Sequence, residues 1–390
     1  MFCAKRPSGR FGRVNLVPFV VLAALNPLAA AEDEPGFRPL LNGRNLDGWV
    51  KMGPAGFKAK RGKLLCTGQG DYPTWLRTEE VFENFVLRLE YKLTWYGESG
   101  VFLHAPLYGR ISHEAFEVQL SDDSRTNGPQ AHSSGAIFAA VPPIRHKGFV
   151  NEWNTLEITF DWPRLRVVLN DEVVQDLDVE RHPELRYRPR FGYIGLQDRG
   201  KPVQFRNLRI KRLPGSERKK WKRLLAGDGF AGWHLSPDNT ATWTVRGGEV
   251  MAENGHGYLI SPRQYGDGEF RCYVKTSPLA NGGVFFRWKT LEPRDRGIEI
   301  QIENIPDSNN PTGSIYDVAR ARGLDLAPGE WYLTQIFLKG RRGVVRVNGT
   351  TVATTDELPV DRRGHIALQM HEDDGVVCFK ELMFKPLEPQ

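Results

Sequence analysis

Hydrophobic and polar residues alternate along much of this chain. The pattern is clear from Leu87 through Leu93, in Leu156-Glu157-Ile158-Thr159-Phe160, and in part over 205–211. A period of two is the mark of a strand with one face buried. No stretch carries a convincing helical period. Glycine and proline, 40 and 26 of 390 residues, interrupt the pattern at short intervals. The prediction is an all-β chain of many short antiparallel strands, packed as two sheets in a jelly-roll β-sandwich with one flat or concave face free.

The pattern also repeats. LLNGRNLDGW at 40–49 returns as LLAGDGFAGW at 224–233, GVFLH at 100–104 as GVFFR at 283–287, and FEVQL at 116–120 as IEIQI at 298–302. GAIF at 135–138 matches GSIY at 313–316, EW at 152–153 matches EW at 330–331, VVLND at 167–171 matches VRVNG at 345–349, and GYIGLQ at 192–197 matches GHIALQ at 364–369. Seven matches in one order, at an offset drifting from 184 to 172, describe one unit of about 180 residues used twice. The expected organisation is a signal over 1–31, a first sandwich over 32–213, a linker over 214–220 and a second sandwich over 221–390. The charge run 217–223 reads as solvated linker.

Composition changes this picture in one place. The formal charge of +6 suggests an acidic partner, but Lys5, Arg6, Arg10 and Arg13 precede an apolar stretch 16–28 and the small residues Ala29-Ala30-Ala31. That order is a secretory signal; the apolar stretch is short for a span and contains Pro18 and Pro27. Cleavage after Ala31 leaves 49 basic and 47 acidic residues, or +2, in a secreted or periplasmic protein. Such a charge gives no electrostatic case for nucleic acid, and no membrane span is expected after cleavage. Cys66, Cys272 and Cys378 remain, an odd number without CxxC spacing, so buried free thiols are expected rather than a disulfide framework or zinc site, although Cys272 and Cys378 lie on segments that could be neighbours.

Candidate chemistry follows from strand alternation. Phe116, Val118 and Leu120 would enter the core, which points Glu117 and Gln119 together at the opposite face. In the second copy Ile298, Ile300 and Ile302 face inward, and Glu299, Gln301 and Glu303 outward. A solvated sheet face is the plainer reading, but the Glu-x-Gln pair persists in both copies, and Asp122-Asp123 follow at once in the first. His104 would lie beyond Phe102 on one strand face, with Arg287 in its place in the second copy. Gln197 and Asp198 close a strand into a turn. Phosphate loops, HExxH and GxSxG are absent from the sequence.

Taken together, LLNGRNLDGW, WLRTEEVFENFVLRLEYKL, ESGVFLH, FEVQLSDD, SGAIFAAVPP, EWNTLEI and IGLQDRGKPVQFRNLRIK resemble the 3-keto-disaccharide hydrolase domain, also called domain of unknown function 1080, over nearly all of 37–213. The second copy, 221–386, keeps the order but carries Gly282, Glu303-Asn304 and Gln369-Met370-His371-Glu372 where the first has Ser99, Asp122-Asp123 and Gln197-Asp198-Arg199-Gly200. The first copy is therefore expected to be the more family-like site, although it has His104 where the family usually has Arg and Arg199 where it often has His. The resemblance implies two concanavalin A-like jelly rolls and a hydrolase or lyase acting on 3-keto-glycosides or 3-keto-disaccharides. A C3 ketone acidifies the C2 hydrogen, so elimination of the C1 substituent followed by hydration gives net hydrolysis. On that basis Glu117 is the expected base or metal ligand, Asp122 or Asp123 its partner, and Gln119, His104, Gln197, Asp198, Glu299, Gln301 and Arg287 substrate contacts. A divalent ion held by carboxylate and histidine would polarise the ketone, though no spacing in the sequence requires one. The rival reading is a tandem carbohydrate-binding protein without turnover, with a purely structural or adhesive role third.

Overall fold

The computed structural model describes residues 34–68, 74–145, 147–289, 297–305, 307–359, 363–371 and 375–387. The expected signal over 1–31 lies outside them. Among the described residues no helix is long and apolar enough to cross a membrane.

Alternation becomes sheet as the pattern requires. In strand Phe85–Leu93 every second side chain, from Phe85 to Leu93, is buried. The first copy folds as two sheets. One has the strand order Glu172–Asp178, Arg164–Leu169, Asn154–Asp161, Phe85–Leu93, Val203–Arg212, Lys63–Cys66, Phe57–Lys60, with Arg38–Pro39 added beside Val203–Arg212. The other, of five strands, runs Trp49–Met52, Thr74–Phe82, Gly192–Asp198, Glu98–Ala105, Phe116–Ser121. The second copy repeats both orders strand for strand, its five-stranded sheet running His234–Leu235, Gly257–Tyr265, Gly364–Met370, Asn281–Trp288, Ile298–Glu303. Each copy has its own core between its sheets, around Phe57, Phe85, Phe116 and Phe160 in the first and Phe270, Phe286, Ile336 and Phe379 in the second. Cys66, Cys272 and Cys378 are buried free thiols.

Two expectations need correction. The outer face of the first five-stranded sheet is not simply open, because Trp75, Phe102, Ala105, Ile111 and Ala115 form a second apolar cluster on it; Tyr258, Ile260, Phe285 and Trp288 do so in the second copy. The charge run after Pro214 is only partly solvated. It forms a short helix, Glu217–Lys220, and Glu217 is buried against Lys385, 2.6 Å away, while its backbone N–H donates to Glu83. Both sandwiches thereby belong to one compact unit.

Candidate functional site

The five-stranded sheets carry the candidate chemistry on their outer faces. Phe116, Val118 and Leu120 enter the first core, which turns Glu117 and Gln119 outward. On the neighbouring strands Phe102 pairs with Glu117 and Gly100 with Gln119, while Gln197 pairs with Trp75. Glu117 Oε1 leans over Gly100, where any Cβ would collide with it. Glu117, Gln119 and Gln197 thus gather on one face.

The arrangement of their polar atoms is specific. Gln119 Nε2 donates to Glu98 Oε1 at 3.3 Å and Gln197 Nε2 to Ser112 Oγ at 3.5 Å, which leaves both amide oxygens buried and without a hydrogen-bond partner. Glu117 is wholly buried, and neither of its oxygens closes a hydrogen bond of good geometry. Burial pushes its carboxyl up to about 8; the Glu98 charge adds to the rise, and the Ser112 hydroxyl, Arg199 and Arg188 only partly oppose it. At neutral pH this group holds its proton. Ser112 belongs to helix Ile111–Glu114, which a periodicity search cannot find because it is a single turn.

The second copy builds the same cluster and leaves it open. Glu299, Gln301, Glu303, Tyr316, Gln369 and His371 line a cavity of about 420 Å3. Gln301 Nε2 donates to Asn281 Oδ1 at 3.0 Å and Gln369 Nε2 to the Tyr258 hydroxyl at 3.2 Å. Again both amide oxygens are buried and unpaired. Gly283, the counterpart of Gly100, lies beneath the cluster: a Cβ there would stand 3.1 Å from Gln369 Oε1 and 3.2 Å from Glu299 Oε1. An unpaired acceptor facing a polar cavity suits a hydroxyl donor.

The remaining expected contacts lie elsewhere. His104 does not extend the face of Phe102. Strand Glu98–Ala105 advances three positions, from Phe102 to Ala105, where its neighbour advances two, between Gly195 and Tyr193. That bulge, with His104 at φ +54°, turns the ring into the core, stacked on Phe160 at 4.4 Å and between the Pro189 and Glu83 carbonyls. Burial lowers its pKa to about 4. Arg287 sits on the same bulge in the second copy, at φ +59°, buried and paired with Asp267 at 3.0 Å. Asp198 points away from Gln197 and accepts the Gly56 and Gly200 N–H groups. Asp122 accepts from the Tyr96 and Ser124 N–H groups, and Asp123 from that of Ser134, so both shape the loop after the strand. The partial burial of Asp122 raises its carboxyl, but these hydrogen bonds outweigh that and hold it below the ordinary range. Neither joins Glu117. Glu303 aligns with Ser121 rather than Asp122, since Asn281 pairs with Glu303 as Glu98 pairs with Ser121.

Among the described residues no three His, Cys, Asp or Glu side chains gather in a group that could hold a divalent ion.

Four residues escaped the sequence reading: Glu98 and Ser112 in the first copy, Asn281 and Tyr316 in the second. Aligning the copies position by position around the Glu-x-Gln strand would have exposed the Glu98/Asn281 pair.

Comparison with known proteins matches the 3-keto-alpha-glucoside-1,2-lyase-like domain to residues 36–211 and again to 220–385. A 3-keto-disaccharide hydrolase of Bacteroides thetaiotaomicron is 25% identical over 242 residues, covering 48% of this chain and 82% of that protein. A crystal structure of a glycosyl hydrolase candidate from Parabacteroides distasonis aligns with 22% identity and a TM-score of 0.41, covering 49% of this chain and 98% of its own. A second from the same organism aligns with 25% identity and a TM-score of 0.41, covering 45% and 99%.

Proposed function

The chain belongs to the 3-keto-alpha-glucoside-1,2-lyase-like domain family in both of its halves, and from that premise we propose that it is an exported enzyme that cleaves glycosides already oxidised to a ketone at C3. The observation that carries this reading is the Glu299, Gln301, Gln369 cluster, in which two buried amide oxygens without partners stand beside a carboxylate in a polar cavity.

Gln301 and Gln369 accept hydrogen bonds from hydroxyls of the keto-sugar and fix its ring over Gly283. Glu299 takes the C2 proton, the C1–oxygen bond breaks, and the leaving sugar departs with a proton supplied by a second titratable group of the cavity, His371 or Glu303. Water then adds across the C1–C2 double bond, its oxygen to C1 and a proton to C2. The second copy is the working site in this reading, contrary to what the sequence favoured. The first copy departs from the family pattern with His104 and Arg199, and at those two positions the second carries Arg287 and His371. Glu117, sealed and protonated at neutral pH, is suited to neither access nor proton abstraction in the form described.

Incubation of the full chain with a 3-keto-disaccharide, following release of the leaving sugar, tests the proposal. Saturable sugar binding without release would favour a tandem binding protein instead.

A further inference from the structure

A cavity of about 570 Å3 lies between the two copies, and neither copy has it alone. Trp75, Tyr108 and Arg110 of the first copy form one wall, and Asp325, Trp331 and Asn348 of the second form the other. Its size and its place at a domain boundary are those of a small-ligand site.

The seam that makes it is closely fitted. Asn348 and Gly349, both at positive φ, turn the hairpin between strands Arg342–Val347 and Thr350–Thr355. A Cβ on Gly349 would stand 2.6 Å from the His113 carbonyl oxygen in helix Ile111–Glu114. Across from it, a Cβ on Gly109 would meet Asn348 Oδ1 at 2.6 Å and Glu114 Oε2 at 2.7 Å. The Leu107 N–H donates to the Tyr273 hydroxyl at 2.7 Å, and Gln335 Nε2 to the Tyr187 carbonyl at 3.2 Å. Beside Gly109, within the seam, the Glu114 carboxyl is wholly buried with neither oxygen hydrogen-bonded.

The lining names the ligand class. The Tyr108 and Trp331 rings, which pack on each other at 6.1 Å and 29° with Lys275 and Lys380 against them, line the cavity together with Trp75. Arg110, Asp325 and Glu330 in the lining, with Lys275 and Lys380 at the Trp331 ring, mix both signs and leave no field of one sign to hold a charged ligand. An aromatic wall with mixed hydroxyl-binding groups suits a neutral ring with one apolar face and a polar edge. Because Trp75 is the ladder partner of Gln197, the cavity also adjoins the outer face of the first copy.

We infer that this cleft is a sugar-binding site created by the pairing of the copies, which seats one neutral pyranose ring against Tyr108 and Trp331 with its hydroxyls toward Arg110, Asp325 and Asn348. The inference rests on the reading of the chain as a sugar-handling protein and adds to it a site distinct from the Glu-x-Gln cluster.

Titration calorimetry of the full chain with methyl α-D-glucopyranoside, which has no ketone and is not cleaved by the proposed route, tests it. Trp331→Ala should remove one binding event, and Asp325→Ala, an exposed loop change that leaves folding intact, should weaken that event about tenfold. Unchanged isotherms in both variants, or no saturable binding by the wild type, would overturn it. The same proteins assayed on a 3-keto-disaccharide separate the two readings. Cleavage with unchanged glucoside binding sinks the cleft alone, and glucoside binding lost in the variants without cleavage by the wild type sinks the proposed reaction alone.

Discussion

Glu98 and Arg199 form an ion pair, Oε2 to Nε at 3.6 Å, beside Gln119 in the first copy, where Asn281 and His371 line an open cavity in the second. Two substitutions accumulated since duplication thus coincide with the difference between a sealed cluster and an accessible one.

The pair is partly exposed, so it adds little stability. Replacing it with the second copy's residues, Glu98→Asn with Arg199→His, should leave the melting temperature within a few degrees and open the first cluster. Calorimetry with a 3-keto-glycoside that has a non-cleavable C1 substituent should then show one more binding event than the wild type. An unchanged stoichiometry would mean that helix Ile111–Glu114, not the ion pair, is the closure.

Glu117 makes stability depend on pH. Its folded pKa of about 8 lies above the ordinary 4.5, so between these values the folded state binds more protons than the unfolded state. Stability is therefore lost as pH rises from about 4.5 to 8 and changes no further through this group above that. Glu117→Gln cannot ionise and should gain on the wild type across that window, by on the order of a few kcal/mol. Urea denaturation at pH 5 and pH 8.5 measures the difference; equal gains at both would contradict the assignment.

His104 should behave as core. His104→Ala removes a ring packed on Phe160 and the one hydrogen bond that its neutral form donates to a flanking carbonyl, of Pro189 or Glu83, and should cost about 2–4 kcal/mol in urea unfolding. With a folded pKa of about 4 against 6.5, the unfolded state binds more protons between those values. The wild type should accordingly lose stability as pH falls from about 6.5 to 4, and the variant should lose less. A selective fall in kcat with unchanged stability would place His104 at the site after all.

Gly283 leaves room for two oxygens. Gly283→Ala would press on Gln369 Oε1 and Glu299 Oε1 from 3.1 and 3.2 Å, displacing both by a few tenths of an ångström. Turnover should fall about tenfold with little change in melting temperature, since positioning is more sensitive than stability to shifts of that size. Wild-type kcat/KM in this variant would separate the cluster from the chemistry.

The sandwich architecture and its duplication were legible because both are written in periodicity: Leu87 to Leu93 alternates in sequence and in burial alike. The direction of Glu117 and Gln119 followed from the same rule. His104 and Arg287 broke it, because a bulge at a non-glycine residue with positive φ leaves no sign in the sequence and reverses every side chain after it. The aspartates Asp122 and Asp123 looked like partners for Glu117 by proximity in sequence, yet backbone N–H groups of their own loop claim them. Which copy is accessible depends on side chains meeting across strands, Glu98 with Arg199, and that is invisible until the sheet order is known.

In the proposed reaction Glu299, in the open cluster of the second copy, removes the C2 proton of a 3-keto-glycoside. The most direct measurement is the release of the leaving sugar from a 3-keto-disaccharide by the wild type, Glu299→Gln and Glu117→Gln. Release by the wild type is expected, with a fall of at least about a hundredfold in Glu299→Gln with substrate binding retained, and near wild-type rates in Glu117→Gln. Full activity in Glu299→Gln, or activity lost only in Glu117→Gln, would contradict it.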